Sequence, residues 1–69
     1  MLVRLSADGH YPDRIVDVTP MEFEELRRLE SEYGQLSSPS LHSSEYAFVE
    51  RIRSYKTYSD PIPTIIDYS

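Results

Sequence analysis

The apolar positions of the chain fall into blocks of different period. Leu2-Val3-Arg4-Leu5 is β-compatible, and Arg14-Ile15-Val16-Asp17-Val18 is a β-branched, apolar run with strand character. Between them, Asp8-Gly9 and Tyr11-Pro12-Asp13 are turn signals. The pattern predicts a short N-terminal β-hairpin, residues 2–6 against 14–18. Two strands alone are marginal in water, so the hairpin needs a helix or a further strand to cover it.

From residue 19 the period lengthens. Thr19-Pro20-Met21-Glu22 reads as a capping box: the Thr19 hydroxyl accepts from the Glu22 N–H, and the Glu22 carboxylate accepts from the Thr19 N–H. Pro20 falls at the first helical position, where a missing N–H costs nothing. Phe23, Leu26, Leu29 and Tyr33 recur at three- and four-residue spacing and form one apolar face, with Val18 and Phe23 placed as a staple. Gly34 supplies the left-handed stop. Helix 1 is expected at 19–33.

Residues 34–43 read as a serine- and proline-containing loop. Helix 2 is expected at 44–58, capped by Ser43 or Ser44, with Ser38-Pro39 as a rival start that would bring Leu41 onto the face of Phe48. Its apolar stripe is Phe48, Ile52 and Tyr55, with Val49 at the edge. Tyr46, Glu50, Arg53 and Thr57 fall on the opposite face at 100° per residue. Pro61 and Pro63 hold the tail, 60–69, extended at its start. Thr64 to Tyr68 could then add as a strand within the chain or in a second subunit. The fold class is α+β: a hairpin, two amphipathic helices and an extended C-terminal segment.

Length changes this picture. A chain of 69 residues is one small domain, and apolar burial then roughly cancels conformational entropy unless something else helps. There is no cysteine to form a disulfide. Oligomerisation is the usual remaining device, so a homodimer or an obligate protein partner is expected.

Charge narrows the partners. Twelve acids against seven bases give −5, which opposes nucleic-acid binding and binding to an anionic membrane surface. No apolar run approaches the ~18 residues of a spanning helix. Met1 to Ser6 is too short and too charged for a signal peptide. A cysteine-free chain suits a reducing cytoplasm. The acids gather in helix 1, whereas residues 45–56 are slightly basic, so the two helices are electrostatically compatible neighbours.

Catalytic chemistry finds little footing. His42 lies beside Ser43 and Ser44, but a polar loop accounts for them. Glu22, Glu24 and Glu25 are explained by capping and the helix dipole. Asp60, Asp67, His10 and His42 lack metal-ligand spacing, and the two glycines cannot build a phosphate loop. No cofactor and no enzymatic activity are expected.

The aromatic content is more informative: six tyrosines and two phenylalanines. Tyr33 and Tyr55 fall on apolar faces as core or dimer contacts, with Phe23, Leu26, Leu29, Phe48 and Ile52. Tyr46 falls on the polar face with Arg53, the composition of a binding hot spot. The expected partner-binding set is Tyr46, Glu50, Arg53 and Tyr58. Tyr11, Tyr58 and Tyr68, near turns or ends, are anchors or surface residues.

In size and composition the chain resembles the small, acidic, cysteine-free proteins that phages make to inhibit or redirect host proteins. That resemblance implies stoichiometric, non-catalytic inhibition of a host regulator, motor ATPase, polymerase or nuclease, and carries over no residue. The expectation is a non-enzymatic module that binds a protein and alters its activity. The alternatives are an assembly subunit joined through a sheet edge or the Ile65-Ile66 tail, and an acidic DNA-mimic decoy built on helix 1.

Overall fold

Val3 and Leu5 are two residues apart on a strand, so they share one side of it. In the computed structural model, which describes residues 1–6, 13–59 and 64–68, both are buried in strand β1 (Leu2–Ser6). Strand β2 (Arg14–Asp17), helices α1 (Pro20–Tyr33) and α2 (Ser43–Arg53), and strand β3 (Thr64–Asp67) follow. The fold is α+β, with an N-terminal hairpin, as the pattern predicts. The Asp8-Gly9 and Tyr11-Pro12 turn, His10 and both tail prolines lie outside the described residues.

The sheet order is β2-β1-β3, with β2 antiparallel and β3 parallel to the central β1. Val3 pairs with Val16 and Leu5 with Ile66 on the helix-covered face. Arg4 pairs with Ile15 on one side and Ile65 on the other, across the opposite face. The hairpin closes at its open end: the N-terminal ammonium lies 2.9 Å from the Asp17 carboxylate, and Val18 N–H donates to the Met1 carbonyl at 2.8 Å. The expected strand 14–18 thus ends at Asp17, and Val18 turns inward to 3% exposure.

The C-terminal segment, open between two placements on sequence grounds, pairs within the chain. Tyr68 N–H donates to Ser6 O at 2.8 Å. The outer edge of β3 is held by the loop after α1: Leu36 N–H donates to Asp67 O at 3.1 Å and Ser37 N–H to Tyr68 O at 2.9 Å. The Glu30 carboxylate accepts from Asp67 N–H at 2.6 Å. An edge strand is a template for foreign pairing, and these contacts occupy part of it.

Helix α1 forms as its sequence directs. Glu22 N–H donates to Thr19 Oγ1 at 3.1 Å, Thr19 N–H donates to Glu22 Oε1 at 2.9 Å, and Gly34 closes the helix at φ 84°. Helix α2 differs from its expected span of 44–58. It starts at Ser43 behind an extended His42, whose N–H donates to Glu45 at 2.9 Å, so neither Ser43 nor Ser44 is the cap and Ser38-Pro39 starts no helix. It stops at Arg53, where the Ser54 Oγ donates to Arg51 O at 2.7 Å and satisfies a carbonyl of the last turn. Thr57 and Tyr58 then suit an extended chain: Thr57 bridges to Val16, and Tyr58 N–H donates to Ile15 O at 2.8 Å.

The core also departs in detail from the expected stripes. Leu26, Leu29 and Ile52 are fully buried, as expected, but so is Leu36, and Val49, placed at an edge, is 2% exposed. Phe23 and Phe48 are half-buried rather than central. Each carries an arginine over its ring at 5.4 Å, Arg27 on Phe23 and Arg51 on Phe48. The guanidinium groups thus lie over the aromatic faces as cation–π contacts while the arginine side chains stay at least half exposed.

Candidate functional site

The two helices run antiparallel, and each end-to-end junction is built the same way. At one end Glu22, from the capping box of α1, accepts from the Tyr55 hydroxyl at 2.6 Å and faces Arg51 at 3.6 Å. At the other end Glu45, from the start of α2, accepts from the Tyr33 hydroxyl at 2.9 Å and from Arg28 at 3.2 Å. Each glutamate therefore caps its own helix and ties it to the end of the other. The two tyrosines expected as core or dimer contacts are partly buried, with their hydroxyls turned to these carboxylates.

These bonds set the protonation of the groups. The Tyr55 hydroxyl, followed by the Thr19 N–H, holds Glu22 below the ordinary carboxylate value. The His42 N–H, with Tyr33 and Arg28 behind it, does the same for Glu45. Donating those bonds to carboxylates makes loss of the tyrosine protons harder, so Tyr33 and Tyr55 are pushed up. Hydrogen bonds from Arg28 to Glu25 and Glu45 raise the guanidinium further.

Between the junctions the helices leave a groove of about 520 Å³. Leu29 and Phe48 give it an apolar floor and side, Met21 stands at its lip with 81% of its surface exposed, and Glu25 and Arg51 lie along its two rims. On the other flank of α2 is a hollow of about 420 Å³, lined by Pro39, Leu41 and Tyr46 with serine hydroxyls between them.

The four residues expected to bind a partner do not form one cluster. Tyr46 is 58% exposed beside the Leu41 hollow, and Tyr58 is 39% exposed beyond the end of α2, with Lys56 over its ring. Glu50 and Arg53 meet at 3.1 Å, but Arg53 also lies 4.4 Å over the ring of Tyr68 and donates to its hydroxyl at 3.0 Å. Arg53 is thus a clamp on the C-terminal segment rather than a free contact. Tyr68, expected as an anchor or a surface residue, is 8% exposed and so serves as an anchor. Sequence reasoning missed the groove because Met21 and Arg51 lie off both apolar stripes; an apolar methionine in the first turn of α1, outside that helix's stripe, was the one visible signal.

His42, Ser43 and Ser44 are exposed, and no bond joins the imidazole to either hydroxyl. Among the described residues no group of three or more His, Asp or Glu could hold a metal ion, and no helix is long and apolar enough to cross a membrane. No family model, no curated protein and no solved structure matches the chain. What the surface offers is an exposed aromatic at a hollow on one flank of α2 and an apolar groove with charged rims on the other.

Proposed function

We propose that the chain is a non-enzymatic protein-binding module that inhibits or modulates its partner by stoichiometric contact, in the manner of phage proteins that act on a host regulator, motor ATPase or nuclease. The observation that carries this reading is Tyr46, 58% exposed at the rim of a hollow floored by Pro39 and Leu41. A rigid aromatic with a polar tip beside a recess of mixed proline, leucine and serine side chains has the composition of an interface hot spot. The surrounding serines offer adaptable hydrogen bonds and no activated nucleophile. A cysteine-free sequence supports a cytoplasmic setting for the encounter.

Capture of a partner from host lysate on the immobilised full chain tests this. Tyr46→Ala should lower the affinity for the captured protein at least about fivefold, which is about 1 kcal/mol. Equal capture by native and variant chains would remove this flank from the interface.

One observation favours assembly as a second reading: Ile65, on edge strand β3, is 51% exposed. Growth of complexes without limit as concentration rises would select it. The decoy reading is weaker, because Arg27 and Arg28 pair with Glu30, Glu25 and Glu32 along α1 and break its row of carboxylates.

A further inference from the structure

The charges of the interhelical groove are committed within the chain. Arg28 meets Glu25, Glu32 and Glu45, and Arg51 meets Glu22 and lies over the Phe48 ring. The hollow on the other flank of α2 is of a different kind. Its space of about 420 Å³ is lined by Ser37, Ser38, Pro39, Leu41, Ser43 and Tyr46. Among the described residues no acid, base or histidine lines it. An ionised group pressed into such a recess sheds water and meets no counter-charge, which is costly. The hollow therefore suits an occupant that is uncharged where it enters.

The hydroxyls narrow the occupant further. Ser38 Oγ accepts from the Ser40 N–H at 3.1 Å, so its own proton is left to donate elsewhere. The Ser37 and Ser43 hydroxyls make no hydrogen bond to another described residue. Pro39 and Leu41 add aliphatic walls, and Tyr46, 58% exposed, adds an aromatic one. Hydroxyl donors beside such walls match a chain that offers carbonyl acceptors and apolar rings, with few N–H groups. A proline-rich segment is such a chain, because its prolines carry no N–H. It is extended, has no internal hydrogen bonds, and comes preset in the bound shape, so docking orders little. On the reading of the Tyr46 flank as the partner-binding face, we infer that the hollow seats a proline-rich, extended segment of the partner. A pyrrolidine ring then lies against Tyr46, and the segment's carbonyls accept from the serine hydroxyls.

Amide NMR of the isotope-labelled full chain, titrated with a synthetic oligoproline peptide blocked at both ends, tests this. Saturable shifts at residues 37–46 are expected, with a Kd of about a millimolar or below. The Kd should stay within about twofold between about 0.05 and 0.5 M salt, since no charge is paired. Tyr46→Ala should raise it at least about fivefold. Ser43→Ala should raise it about threefold with the helical circular dichroism signal kept. A glycine–serine peptide of the same length should bind at least about tenfold more weakly, because its flexible backbone must be ordered. No shift at about 10 mM oligoproline, shifts along the interhelical groove instead, or an affinity indifferent to Tyr46→Ala would overturn the proposal. So would an affinity that falls steeply with salt. Capture of a lysate protein through Tyr46 by a chain that ignores oligoproline would exclude this segment and leave the protein-binding reading standing. Oligoproline binding at the flank with no protein captured would sustain the segment and count against that reading.

Discussion

Gly34 shows how a single residue's worth depends on what surrounds it. Its φ of 84° belongs to the left-handed region, and nothing lies within 4 Å of where a Cβ would stand. Gly34→Ala should therefore destabilise through the backbone alone, by about 1–2 kcal/mol, read as a lower denaturant midpoint with unchanged slope. The phenylalanines invite a larger estimate from sequence, roughly 3–5 kcal/mol for truncating a buried ring. Their half-buried positions under Arg27 and Arg51 argue for less. The steep losses belong to Leu26 and Leu29, both at 0% exposure: Leu29→Ala should cost about 2–5 kcal/mol, while Phe48→Ala should cost clearly less in the same chemical melt. Tyr46→Ala should leave the melting temperature nearly unchanged, because 58% of the residue's surface is exposed and little burial is lost.

At the scale of elements, the two helices are joined by a repeated device. Each N-terminal glutamate finishes its own capping box and accepts from a tyrosine of the other helix end. The sign of the pH dependence follows. Glu22 and Glu45 titrate lower in the folded chain than their ordinary 4.5, so their contribution is present above that value and is lost as pH falls through the lowered folded values. Tyr33 and Tyr55 titrate higher than their ordinary 10.0, so theirs is present below that value and is lost as pH rises through the raised folded values. Thermal melts across pH should show a plateau between these limits. Replacing both tyrosines by phenylalanine should lower the plateau and flatten its alkaline limb. An alkaline limb as steep as the native one would place the responsible groups elsewhere.

For the whole molecule, the decisive contact is the return of the C-terminus to the first strand. β3 joins β1, and its far edge is held by Leu36, Ser37 and Glu30. Ile66 at 0% and Tyr68 at 8% exposure seal the core, and Arg53 clamps the Tyr68 ring. Truncation after Ser59 should therefore abolish cooperative unfolding rather than trim a tail, since Leu5 and Leu36 lose their cover together. A truncated chain that still melted sharply would show that the hairpin and helices suffice. Tyr68→Ala should act in the same direction and more mildly, since it removes the ring and hydroxyl that Arg53 holds.

The sequence by itself determined what is local. Thr19-Pro20-Met21-Glu22 and Gly34 start and stop α1, because a cap and a left-handed turn need only neighbours a few residues away. The strand character of 2–6 and 14–17 was legible in the same way, from β-branched and apolar runs. The placement of the residues expected to bind a partner was legible only in part, since Tyr46 and Tyr58 are exposed but Arg53 is drawn to a residue fifteen positions on. Only the tertiary structure decided the end of α2, where strand β2 takes up Thr57 and Tyr58. It also decided the in-chain seat of β3, the pairing of each capping glutamate with a distant tyrosine, and the groove those pairings frame. These are contacts between residues far apart in the chain. A local pattern carries the propensity of each segment, but the packing of all of them selects the partner that each side chain meets.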